Sequence, residues 1–293
     1  MRLKGLFADR TVWEQLFLLL CLVLVGSVVG GLFGSALYVV AGGKSHIWAT
    51  RLLQLVMSGA MFLLPALLMA RLCSERISGY LSLRLVKDVR IWIVLFIVMM
   101  SALPIINVTA YLNSLLRLPA FMSPVEEWML SMERETEVLM ASFFSDSGIW
   151  AYLGNMLVIA LCPGAYEEFF FRGALQRVLE RKVKNPHTVI WLTAFIFGFI
   201  HFQFYGLLPR MLLGAYFGYI LYWTRSLWLA VFAHFINNAI AVTGMSMYSL
   251  KDLSIVKGGI PAEEILPYLI ITPVSLMLLF VCTRYVYMNR ARD

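Results

Sequence analysis

Two carboxylates and a guanidinium, Glu167, Glu168 and Arg172, stand in the run Tyr166-Glu167-Glu168-Phe169-Phe170-Phe171-Arg172, inside a stretch otherwise apolar enough to cross a bilayer. Ionisable side chains at that depth are costly unless they are paired or face a wet cavity, so they mark a functional site. Two histidines join them. His201 closes Phe197-Gly198-Phe199-Ile200-His201, and His234 opens His234-Phe235-Ile236-Asn237-Asn238, where Asn238 shares a helix face with His234. At a rise of about 1.5 Å per residue, Glu167 lies about 15 Å from Arg177, His201 about 20 Å from Thr188 and His234 about 13 Å from Arg225. All three then fall in the middle third of a hydrocarbon core about 30 Å thick. A single intramembrane histidine is more often a packing residue than a catalyst, but this set on successive apolar segments is a costly way to make structural hydrogen bonds.

Hydrolysis is the chemistry such a set suits. A carboxylate beside a guanidinium in apolar surroundings can act as a general base. Glu168 and Arg172, at i and i+4, pair along one face, which leaves Glu167, about 100° round the helix, to meet a water. Pro163-Gly164 loosens the helix just before it, because proline removes a backbone donor. His201 holds or polarises the water, and His234 with Asn238 donates to the oxyanion of a tetrahedral intermediate. No serine or cysteine nucleophile is required; Cys162 precedes Glu167 by little more than a turn, and nothing else supports thiol chemistry.

Positioning these residues falls to membrane-spanning helices. With 61% hydrophobic and 14% charged residues and a mean hydropathy of +0.80, the 293-residue chain is read as all-α and polytopic, not as a soluble domain. Runs of about 20 apolar residues place about eight spans near 16–41, 52–72, 91–111, 149–176, 188–204, 207–224, 227–245 and 265–286, with the catalytic core in the fourth to seventh. Residues 1–148 hold the N-terminal helices and an external amphipathic helix, 149–245 the core, and 246–293 a loop, the last span and a tail. The first span is too long for a signal-peptide core and is expected to stay in the mature protein.

Basic residues set the orientation. With the N-terminus inside, sixteen Lys and Arg fall on the cytoplasmic side and seven on the other, namely Lys44, Arg51, Arg117, Arg134, Arg210, Lys251 and Lys257, while Arg172 stays within a span. Both termini are expected in the cytoplasm, in a plasma or inner membrane. The net charge of +7 belongs to loops near lipid headgroups, so no nucleic-acid surface is read into it.

Elsewhere the residues read as structure. Gly26, Gly30 and Gly34, like Gly214 and Gly218, repeat at the spacing of close helix packing. Cys21, Cys73, Cys162 and Cys282 have no CxxC spacing and are read as free thiols. His46 and His187 belong to loops at span edges. Ser123-Pro124-Val125-Glu126 reads as a helix start with Ser123 at the N-cap, opening an acidic amphipathic helix that lies on the membrane or, alternatively, acts as a lid.

Glu167-Glu168-x-x-x-Arg172, Phe197-x-x-x-His201 and His234-x-x-x-Asn238, in order within residues 150–245, resemble the motif set of the CAAX protease and bacteriocin-processing family, the Abi or type II CAAX prenyl endopeptidases. The resemblance implies a helical bundle with a cavity open toward the cytoplasm and an intramembrane endopeptidase of glutamate type. In that pattern Glu167 and His201 activate water, His234 and Asn238 form the oxyanion hole, and Glu168 and Arg172 support them. It implies peptide or membrane-protein substrates, prenylated or not. No cofactor is expected; the mechanistic alternative is a zinc site with Glu167, His201 and His234 as ligands. A non-catalytic bacteriocin-immunity or binding protein, and a proton-coupled transporter, are the other classes weighed. A transporter should show inverted repeats, and none is visible.

Overall fold

The computed structural model describes residues 4–43, 46–247 and 265–289, and among them helix is the only regular secondary structure. Helix α1 (Val12–Val40) starts at a capping box in which Thr11 accepts from the Glu14 N–H and Glu14 accepts from the Thr11 N–H. Helix α2 (Ile47–Cys73) runs back along it. Added Cβ atoms at Gly26 and Gly30 would fall 2.1 Å from the Ala60 carbonyl oxygen and 2.6 Å from its Cβ, so these glycines let the two backbones touch.

Helix α3 (Val89–Ser114) crosses next and leads to α4 (Ser123–Phe143), the amphipathic helix. Ser123 is the first helical residue of α4 and not its cap, because a 3₁₀ turn, Ala120–Met122, feeds directly into it. Helix α5 (Ile149–Glu180) carries Glu167, α6 (Pro186–Phe199) leads to His201, and α7 (Leu207–Thr224), α8 (Leu227–Met247) and α9 (Ile265–Met288) complete the chain. Seven of these helices are long and apolar enough to cross a membrane. The expected fifth span differs: α6 has 14 residues, about 21 Å of helix. The chain then continues through non-helical backbone that lines a cavity, the setting in which such backbone is tolerated at membrane depth.

Contacts sort the helix ends into two sets. At one end the Phe7 N–H donates to the Leu72 carbonyl, the Leu227 N–H donates to the Ser82 carbonyl, and Lys182 lies over the Trp13 ring. Trp223 meets Tyr287 there. At the other end Arg51 reaches Asn155 and the Phe143 carbonyl, Asn113 reaches the Phe204 carbonyl, and Tyr152 reaches Thr243. The described residues nearest both termini therefore share the first end, and α4 sits at the second. The core divides side by side instead, and both parts reach the first end. Phe169, Phe170 and Phe171 of α5 pack with Met69 of α2 and Leu227 of α8, while α3, α7, α8 and α9 share a cluster around Leu95, Phe217 and Val286.

All four cysteines are unpaired. His46 precedes α2, and His187 lies in the first turn of α6 with Nδ1 2.7 Å from the Tyr219 hydroxyl.

Candidate active site

Helix α5 departs from regular α geometry on both sides of Glu167 and Glu168. A π-helical stretch, Met156–Leu161, precedes them and another, Phe169–Gln176, follows. Pro163 accounts for the first: it has no N–H to offer the Ile159 carbonyl four residues back. That carbonyl instead accepts from Asn238 Nδ2 of α8 at 3.3 Å. Gly164 permits the closeness of the two helices, since a Cβ there would lie 3.0 Å from the Phe235 nitrogen.

Glu168 is fully buried, at 0% exposure, and is the anchor of the site. Its Oε1 accepts from Arg172 Nη1 at 2.9 Å and from His234 Nδ1 at 2.8 Å. Arg172 also donates through Nη2 to the Gly214 carbonyl of α7 at 2.7 Å, and its guanidinium lies 4.7 Å from the Phe197 ring centroid and 5.5 Å from that of Phe217. Gly214 does more than pack. A Cβ there would stand 2.9 Å from Phe197 and 3.2 Å from Arg172 Nη2, so the missing side chain makes room for the guanidinium.

Glu167, with its side chain 14% exposed, faces the cavity. Its Oε2 lies 3.8 Å from His201 Nε2 and 4.0 Å from His234 Nε2. Each imidazole is held from behind. His201 Nδ1 donates to the Phe197 carbonyl at 2.7 Å, and His234 Nδ1 donates to the Glu168 carboxylate. His234 also stacks on Phe217 at 4.8 Å and 17°. With both Nδ1 atoms engaged, both Nε2 atoms point toward the same carboxylate oxygen. His201 follows the last turn of α6, and Phe202 after it turns the chain at a φ of 52°, a strained value for a bulky residue.

The expected residues thus come together: Glu167, His201, His234 and Asn238 line one cavity of about 280 Å³, while Glu168 and Arg172 lie behind it. Sequence reading missed Arg210 as a member. The basic-residue count places it on the outer side, but it lines this cavity and donates through Nη1 to the Gln203 carbonyl at 3.1 Å and through Nη2 to Gln203 Oε1. Arg51, assigned likewise, is buried against Asn155 and Trp48. The criterion applied to Arg172, a charge within an apolar run, would have found both. Gln203 and Asn237 also line the cavity and carried no motif.

Helix α4 docks on the loop that bears His201. Glu133 accepts from the Tyr205 N–H at 3.0 Å, and the Tyr205 hydroxyl donates to Glu126 at 3.1 Å. Burial pushes the Glu133 carboxyl above its ordinary range, opposed by the Tyr205 N–H and the Arg210 charge. Among the described residues, no three His, Cys, Asp or Glu side chains form a group that would hold a metal ion.

Fold and site together define a polytopic helical membrane protein with a carboxylate and histidine cavity at membrane depth. Residues 149–240 match the family model described as Type II CAAX prenyl endopeptidase Rce1-like, the resemblance that the three motifs carry, and the class this implies is a membrane protease. No curated protein and no solved structure matches the chain.

Proposed function

We propose that the protein is an intramembrane endopeptidase in which Glu167 activates a water against a peptide carbonyl. The observation that carries this reading is the convergence of His201 Nε2 and His234 Nε2 on Glu167 Oε2 at 3.8 and 4.0 Å, with both Nδ1 atoms already engaged. A water between Glu167 and His201 gives one proton to the carboxylate while its remaining O–H donates a hydrogen bond to His201 Nε2. The hydroxide oxygen bonds to the carbonyl carbon, and the carbonyl π electrons move to oxygen. The second N–H of Asn238 Nδ2 donates to that oxyanion, and His234, held from behind by Glu168, completes the oxyanion hole. Glu167 then passes its proton to the amide nitrogen as the C–N bond breaks.

Glu168 and Arg172 act as positioning residues. Arg172 keeps the buried Glu168 charge compensated, and Glu168 sets which nitrogen of His234 faces the substrate. The reading is metal-free; a zinc site with Glu167, His201 and His234 as ligands is the alternative that chelation separates from it. Substrates are membrane-associated peptides or tails of membrane proteins, with prenylated peptides among the chemistries to test. The chain sits in the plasma or inner membrane with both termini in the cytoplasm.

The test is cleavage of a peptide library, with and without prenylated cysteine, by detergent-purified wild type and Glu167→Gln after exhaustive chelation. Cleavage by wild type that the variant lacks by about 10²-fold or more, at an unchanged Tm, is the expected result. Full activity in the variant removes Glu167 as the base; activity lost on chelation and restored by zinc replaces this mechanism with the metal-dependent one.

A further inference from the structure

The catalytic cavity has a direction. From Phe217, His234 and Glu167 it extends to Ala241 and Ile159, and it shares Gln203, Arg210, Leu213, Asn237 and Ala241 with a second cavity of about 360 Å³. That second cavity is walled by Glu133, Thr136 and Glu137 of α4 and by Met245 near the end of α8. The two adjoin through these shared residues and lead to the α4 end of the bundle, opposite the end shared by residues 7, 72, 182 and 227. A cavity open toward the cytoplasm, as the family resemblance implies, and termini in the cytoplasm are therefore mutually exclusive in this fold.

Exposed charge decides between them. Among the described residues, thirteen exposed Lys and Arg stand at the end that holds the first and last described helix ends, and two, Arg117 and Arg134, stand at the α4 end. Arg51 and Arg210, which blurred the sequence count, are held inside the protein and are not loop charges. Exposed acids stand at both ends, Glu127, Glu135 and Asp146 at the α4 end and Asp9, Glu14 and Glu75 at the other, so the asymmetry lies in the basic residues. Basic residues flanking spans are retained in the cytoplasm. We infer that the catalytic cavity opens on the extracytoplasmic face, so that the substrate is a peptide, or a segment of a membrane protein, presented from outside the cytoplasm.

The inference rests on the proteolytic reading only for the word substrate; the direction of the cavity is independent of catalysis and is tested without it. Glu137→Cys places a thiol in the path and Lys184→Cys one at the basic end, both in the full chain in the membrane of intact bacterial cells, with wild type measuring labelling of the four native thiols. A membrane-impermeant maleimide should label Glu137→Cys as fully before permeabilisation as after it, and Lys184→Cys only after it. Thr136→Cys serves in the same way if Glu137→Cys does not accumulate. Labelling of the path thiols only after permeabilisation, or of Lys184→Cys in intact cells, overturns the inference. If the labelling holds and purified protein cleaves no peptide, the proteolytic reading fails while the orientation stands.

Discussion

His234 Nδ1 lies 2.8 Å from the same Glu168 oxygen that binds Arg172 at 2.9 Å, so one buried carboxylate ties a charge on its own helix to an imidazole on another. Glu168 is thereby the joint between α5 and α8, and the guanidinium extends the joint to α7 through the Gly214 carbonyl. The consequence is that stability and activity are coupled here.

Glu168→Gln should lower stability by about 3–5 kcal/mol, because it strands the buried Arg172 charge. It should also lower activity, since His234 loses the partner that orients it. Arg172→Met added to Glu168→Gln should restore a large part of the Tm without restoring cleavage. Thermal unfolding in detergent and peptide cleavage, measured on the two single variants and the double, check this; a double variant as unstable as the two losses summed would break the pairing.

Asn238→Ala should lower kcat by about 10²–10³ with KM little changed, the behaviour of a donor used in the transition state. Its bond to the Ile159 carbonyl also spans α5 and α8, so Tm is measured beside the kinetics. A large KM effect at constant kcat would place Asn238 in ground-state binding instead.

Gly214→Ala is expected to cost about 1–3 kcal/mol through overpacking. Its Cβ would meet Phe197 at 2.9 Å and Arg172 Nη2 at 3.2 Å, and neither can retreat in the packed core. Differential scanning of the variant gives the answer, and an unchanged Tm would mean the guanidinium has room to move.

Glu133 supplies a pH dependence outside the spans. Burial raises its carboxyl from the ordinary value of 4.5, so the folded state holds this proton more tightly than the unfolded chain does. The stability that this proton contributes is complete below that value and is lost as pH rises through the raised one. Glu133→Gln keeps an acceptor for the Tyr205 N–H and removes the ionisation. Its Tm relative to wild type should therefore increase as pH rises from about 4.5 toward neutrality; parallel Tm profiles for the two proteins would exclude the effect.

Legibility followed locality. Apolar runs marked the seven described helices of spanning length, because length and hydropathy along one chain are what a bilayer demands. EExxxR and HxxxN were readable because i, i+4 residues meet on one helix face whatever surrounds it. Arg210 was misplaced because a count along the chain cannot distinguish a charge folded into a cavity from one in a loop. The end of α6 was overrun for a similar reason: the apolar run continues through Phe199, Ile200 and Phe202, while the helix stops so that His201 can reach the cavity.

From the sequence by itself came the all-α membrane class, the helices, the three motifs and the excess of positive charge on one side, all properties of composition and short-range spacing. Tertiary structure alone decided that Glu168 holds His234 as well as Arg172, that the Ile159 carbonyl freed by Pro163 receives Asn238, and that the cavity opens at the α4 end. Each of these joins groups more than 60 residues apart in sequence, brought together by the packing of whole helices, which no pattern within a single helix encodes.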